Sequence, residues 1–240
     1  IKIAVKSLGL DELGEFNIED RVIEYMLEKV NKKRLVDMSL LEFTNETSSE
    51  SPAPGGGSIS AYCGAMGIAL GTMVANLSSH KRGWDEKWEE FSKWAEKGIM
   101  YQNKLLQLVD EDTEAFNMII AAFQLPKDSE EEKKTRTKAI QKATKNAILT
   151  PLEVMNVAYK SMEVIKEMAT HGNPNSISDA AVGSLCSKTA VIGAFLNVRI
   201  NCKEYDDNKF VEEILMRGED IIKKVNKLEK EILEIANSKI

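Results

Sequence analysis

Residues 51–77 read SPAPGGGSISAYCGAMGIALGTMVANL, and the two halves of this stretch restrict the fold more than any other part of the chain. Pro52 and Pro54 stiffen the approach, while Gly55, Gly56 and Gly57 let the backbone bend and meet a ligand at contact distance. Ser58 stands where an N-cap serine belongs and an apolar run follows, so the loop opens a helix. Unpaired N–H groups and a positive dipole end at that point favour an anion or an electron-rich heteroatom. Along the helix, Ala61, Gly64 or Ala65, Ile68, Gly71 or Thr72, and Ala75 recur at three- and four-residue spacing. This stripe has almost no bulk, and a second helix can pack closely against it. A nucleotide P-loop is excluded, because no Gly-Lys-Ser/Thr ending follows the glycines. A membrane span is disfavoured: 59–77 is 19 residues without a charge, but Ser60, Thr72 and Asn76 interrupt it and seven of the 19 are Gly or Ala.

A second stretch of the same character begins at Ala180. Gly172, Asn173, Pro174 and Asn175 interrupt helix, Ser178 suits an N-cap, and Asp179 suits the positive end behind it. Ala180, Ser184, Ser187, Val191, Ala194 and Val198 then repeat at helical spacing. The two small-residue helices are expected to mate at the centre, leaving the polar starts at 55–58 and 173–179 to line one pocket. Asn197 and Asn201 project from one side of the second helix. For Ser178 and Asp179 capping and ligand binding are both open, and for Asn197 so are a ligand contact and an interhelical hydrogen bond.

The rest of the pattern is helical. A short strand over 1–10 precedes a helix over 18–32 capped by Asn17. Ser39 and Glu42 form a capping box for a helix running to about 47. Residues 84–123 keep helical periodicity, with Trp88, Phe91, Ala95, Ile99, Leu105, Leu108, Asp112, Ala115, Ile119 and Ala122 near one face. Asp128 or Ser129 starts a further helix that Pro151 is expected to kink or restart. Residues 206–239 close the chain, with Phe210, Ile214, Ile221, Val225, Leu228, Ile232 and Ile235 inward. The fold class is all-α, a bundle of long antiparallel helices, and the slim faces and long helices predict a homodimer. Residues 1–36 read as an N-terminal arm and 37–240 as the helical domain.

Asp112 is the residue in this pattern with chemical consequence. A carboxylate on the apolar face of Leu108, Ala115 and Ile119 is costly unless paired or raised in pKa, so it is either an acid–base group or half of a buried ion pair. His80, Lys81 and Arg82 follow the first small-residue helix, as a solvated turn or as a cationic landing site for carboxylates. A net charge of −6 with no long basic run excludes a nucleic-acid partner. Three cysteines, no CxxC and two histidines argue against disulfides and against a zinc or iron site, and point to a reduced, cytoplasmic protein without a membrane anchor.

Four segments together resemble one family. They are PAPGGGS with its small-residue helix; Asp112 with Ala115, Phe116 and Pro126; Gly172, Asn173 and Asn175 with Ser178 and Asp179; and Asn197, Val198, Ile200 and Asn201. The likeness is to the cyclodeaminases, the formiminotetrahydrofolate cyclodeaminases with related methenyltetrahydrofolate cyclohydrolases, and it runs from about residue 35 to 239. It implies attack of N10 of 5-formiminotetrahydrofolate on the formimino carbon, loss of ammonia and a 5,10-methenyl product, with no metal or redox cofactor. On this likeness Asp112 transfers protons and Asp179 stabilises charge. Pro54, Gly55, Gly56, Gly57, Ser58, Asn173, Asn175, Ser178 and Asn197 contact the pterin and p-aminobenzoate, and Lys81 and Arg82 meet the glutamate tail, including a polyglutamate. Residues 1–36 are similar to the junction with a preceding formiminotransferase domain, though an ordinary arm fits them equally. Hydrolysis of the methenyl bridge, and a non-catalytic folate-binding or dimerisation module, are the alternatives.

Overall fold

A computed structural model describes residues 34–240; the strand expected over 1–10 and the helix over 18–32 lie outside them. After a 3-10 turn at Leu35–Asp37 come six helices: α1 Leu40–Thr47, α2 Gly56–Ser79, α3 Trp88–Phe123, α4 Glu130–His171, α5 Ile177–Cys202 and α6 Asn208–Asn237. No strand occurs among the described residues. Two starts are set by local chemistry: Ser39 with Glu42, and Ser129 with Glu132, form reciprocal capping boxes.

The small-residue stripes do meet. At the crossing of α2 and α5 a methyl group on Gly67 would stand 2.7 Å from the Gly183 carbonyl oxygen and 3.0 Å from the Ser187 nitrogen. The two backbones therefore touch, which only residues without a side chain permit. The helices run antiparallel, since Gly64 faces Ala190 and Gly56 faces Asn197. On its other sides α2 packs against α3 and the second half of α4, whose Leu152, Met155, Ala158, Met162 and Ile165 are buried as their spacing predicts. Helix α6 lies along α4 and α5 and buries Ile214, Ile221, Val225 and Ile232; Glu229, also buried, pairs with Lys188 at 3.1 Å.

Two expectations need correction. On α3 the inward position is Gly98, not Ile99, and Trp88 is also exposed. The Thr72 side chain of α2 occupies the space a Gly98 side chain would need, so the face turns by one residue to bring the glycine under it. On α4 the helix does not restart at Pro151 but runs through it as one element. Proline has no N–H for the Ala147 carbonyl one turn back, and the Asn201 amide of α5 donates to that oxygen instead, at 2.7 Å.

Candidate active site

The loop at 52–55 and the first turn of α2 rest against the middle of α3 and the last turns of α5. They enclose a cavity of about 120 Å³ lined by the loop glycines, Asp112, Phe116, Asn197 and Asn201 among others. Asp112, on the inward face of α3 with buried Leu108 and Ala115, reaches the start of α2. Its Oδ2 accepts the Ser58 hydroxyl at 2.9 Å, and the Ser58 backbone N–H serves the same carboxylate. Gly57 makes this approach possible, because any side chain there would collide with the Asp112 carboxylate. Burial pushes the Asp112 carboxyl above the usual carboxylate range, and the Ser58 donors draw it partly back. Among the described residues no lysine, arginine or histidine lines the cavity, so the ion-pair alternative finds no partner for Asp112 among them.

The amides of α5 frame the opposite wall. Asn197 donates to the Gly193 carbonyl of its own helix at 2.9 Å, and Asn201 donates to Ala147. The interhelical bond considered for Asn197 from sequence is not made by Asn197 but by Asn201, to α4; each has one N–H engaged and an amide oxygen left for the cavity. Thr113, next to Asp112, completes the α3 side with Phe116 and Ile119, a partly exposed apolar rim one to two turns further on. Larger open hollows lie elsewhere, one of about 510 Å³ near Arg34 and Asp110. There Asp110 accepts the Leu35 N–H at 2.8 Å and anchors the 3-10 turn, a structural task.

The residues expected to share one pocket fall at two ends of the molecule. Gly55, Gly56, Gly57, Asp112 and Asn197 come together in the cavity. Pro54 is buried behind the loop, and Ser58 is fully buried beneath the carboxylate, so neither lines the cavity. Asn173 donates its backbone N–H to Ser78 at the other end of α2. With it at that end are Asn175, Ser178 and Asp179, and Lys81 and Arg82 just beyond Ser79. For a helix of 24 residues the separation is about 36 Å. The expectation that both polar helix starts line one pocket of a single chain is therefore wrong: antiparallel packing sends them apart. At that far end Lys81 lies 4.0 Å over the Trp84 ring and Arg82 is exposed. Two caps also differ from expectation. Gly55, not Ser58, is the N-cap of α2, because the serine hydroxyl is engaged by Asp112. Ser178 is exposed inside the first turn of α5, which the 3-10 turn Pro174–Ser176 begins one residue earlier.

Sequence periodicity placed Asp112 and Ile119 on one inward face; Phe116 entered only through the family likeness, and Thr113 was missed, because a polar residue off that face carries no periodic signal.

Residues 39–220 match the model of the family described as formiminotransferase-cyclodeaminase. The formimidoyltransferase-cyclodeaminase of Rattus norvegicus is 34% identical over 89% of this chain and 40% of its own length. The methenyltetrahydrofolate cyclohydrolase of Methylorubrum extorquens is 36% identical over 82% of this chain and 95% of its own. The crystal structure of formiminotetrahydrofolate cyclodeaminase from Thermotoga maritima superimposes with a TM-score of 0.74 at 28% identity, over 84% of this chain and 96% of that one. The chain thus spans about 40% of the length of the formimidoyltransferase-cyclodeaminases it matches.

Proposed function

The chain belongs to the formiminotransferase-cyclodeaminase family, and from that premise we propose that it is a formimidoyltetrahydrofolate cyclodeaminase, converting 5-formiminotetrahydrofolate to 5,10-methenyltetrahydrofolate and ammonia. The observation that carries this reading is the half-buried carboxylate of Asp112 in a cavity to which the described residues of its own chain bring no cation. As N10 attacks the formimino carbon it must lose a proton, and the Asp112 carboxylate, made more basic by its burial, accepts it. Because the formimino group enters as a protonated amidinium, the tetrahedral carbon then carries its nitrogen as a neutral amine. Asp112, now protonated, returns its proton to that amine, which leaves as ammonia. The C–N bond breaks toward nitrogen and the bridge becomes the methenyl cation, beside a carboxylate that is again charged. One group suffices for both transfers, the regenerated Asp112 carboxylate itself supplies the charge stabilisation expected of Asp179, and the steps call on no cofactor.

The experiment supplies 5-formiminotetrahydrofolate and follows ammonia together with the methenyl chromophore; both appear in equal amounts. Absence of both refutes the reading. The Methylorubrum relative, matched along nearly its whole length, supports a second reading, hydrolysis of the methenyl bridge by the same site. Loss of the chromophore from added 5,10-methenyltetrahydrofolate, without ammonia chemistry, selects it. Residues 37–240 are the catalytic unit on either reading. The greater length of the curated relatives supports a formiminotransferase domain as partner, with residues 1–36 as the junction, and the three free thiols suit a cytoplasmic enzyme.

The working unit is a homodimer. Met66, Met73 and Leu77 of α2 and Val182, Leu185, Ile192 and Leu196 of α5 are exposed. They lie on helices apolar enough by length and composition to cross a membrane. A helix apolar all round is a buried helix, and a second copy of the same face covers this one. A cavity of about 120 Å³ is also too small for a folate, whereas ligand pockets run from roughly 300 Å³ upward. Only a second copy, with its α2 antiparallel to the first, brings Lys81, Arg82 and Asp179 toward the glycine loop and the glutamate tail. Leu185→Glu, at a position 43% exposed in one chain, should leave the fold intact and halve the mass measured by light scattering. A wild-type monomer at micromolar concentration refutes the dimer.

A further inference from the structure

The first turn of α2 has its donors turned toward Asp112. We propose that Ser58 is a positioning residue: through its hydroxyl it holds the Asp112 carboxylate and sets the pH range over which that group exchanges protons, without touching the ligand. Four observations carry this. Ser58 is 0% exposed, so no ligand in the cavity reaches it. Its hydroxyl has one proton, and that proton goes to Asp112 Oδ2 at 2.9 Å. Thr113 Oγ1 lies 3.4 Å from Ser58 Oγ; with the serine proton already committed, threonine is the donor of that contact. A short relay of hydroxyls, Thr113 to Ser58 to Asp112, therefore ends on the carboxylate and polarises toward it. Lastly, the glycine at 57 leaves the space the carboxylate fills.

No other charge does this work. The first turn of α2 and the loop at 52–55 contribute Pro, Ala, Gly and Ser only, α4 contributes Ala147, and α5 contributes Asn197 and Asn201. On α3 itself the neighbours are Asp110, bound to the Leu35 N–H; Glu111, held by Gln107 at 2.6 Å and Lys104 at 3.3 Å; and exposed Glu114. All three are acidic and would only resist ionisation of Asp112. The donors of Ser58 are the counterweight that keeps the buried group ionisable.

The test reads Asp112 directly, and so is separate from the cyclodeaminase reading on which the word positioning rests. The carbonyl stretch of protonated Asp112, identified by its absence in Asp112→Asn, is titrated by difference infrared spectroscopy in the wild type and in Ser58→Ala. Loss of the donor destabilises the anion, so the midpoint should move up by about one pH unit. The acid limb of the rate profile should move up by the same amount, and Ser58→Thr, which keeps the hydroxyl, should restore both. An unchanged midpoint in Ser58→Ala overturns the proposal. A shifted midpoint with an unshifted rate profile upholds it and refutes Asp112 as the proton-transfer group instead. If Ser58→Ala fails to fold, Ser58→Cys, with its weak S–H donor, replaces it with the same expected direction and the same refuting result.

Discussion

Asp112→Asn should lower the rate of ammonia release by about 10²–10⁴-fold, the usual contribution of a positioned acid–base group. Substrate affinity should hold, because the amide keeps the size and the acceptor oxygen of the carboxylate. Steady-state kinetics with ammonia detection checks both, and full turnover by this variant would remove the proton-transfer role. The same substitution should not weaken the fold at neutral pH, which separates a functional loss from a structural one. The sign follows from linkage. Burial raises the Asp112 pKa in the folded chain, so the folded state holds this proton more tightly than the unfolded state. Stability attributable to the group is therefore greatest at acid pH, and it declines as pH rises from the ordinary carboxylate value to the raised one. Asn carries no such dependence, so at pH 7 the variant should melt at the same temperature as the wild type or higher, the difference vanishing toward acid pH.

Gly67→Ala should be among the most damaging small substitutions in the molecule. The added methyl meets the Gly183 carbonyl oxygen at 2.7 Å and the Ser187 nitrogen at 3.0 Å. Both obstacles are backbone, so two buried helices must part along their length. Overpacking of this kind costs about 1–3 kcal/mol or more, against which alanine regains only about 1 kcal/mol of helix propensity. A net loss of about 2 kcal/mol corresponds to a melting temperature lower by about 4–8 °C. Gly71→Ala, on the same helix, meets Cγ1 of Ile165 at 2.9 Å, a side chain that can shift, and should cost less. Equal melting temperatures for the wild type and Gly67→Ala would show that α2 and α5 are not in backbone contact. Because Asn197 lies against Gly56 at the end of the same pair, Gly67→Ala should also reduce turnover.

The parts legible in the sequence are those governed by residues a turn apart. The Ser39 capping box, the helix start at Ser129, the buried faces of α4 and α6 and the inward direction of Asp112 all follow from spacing along one helix, and the structure has them where the spacing puts them. Ser58 shows where that logic stops. Its sequence context is that of a cap, yet its hydroxyl is taken by a carboxylate 54 positions away. Asn201 is similar: Pro151 announces an unpaired carbonyl, but not which side chain will reach it.

The sequence alone determined that this chain is a bundle of long helices, that two of them are slim enough to touch, and that one acid faces inward, because periodicity and side-chain bulk are properties of each helix by itself. The tertiary structure decided which polar groups share a cavity. A repeating stripe looks the same read in either direction, and only the antiparallel arrangement of α2 and α5 set Asn197, rather than Asp179, beside the glycine loop.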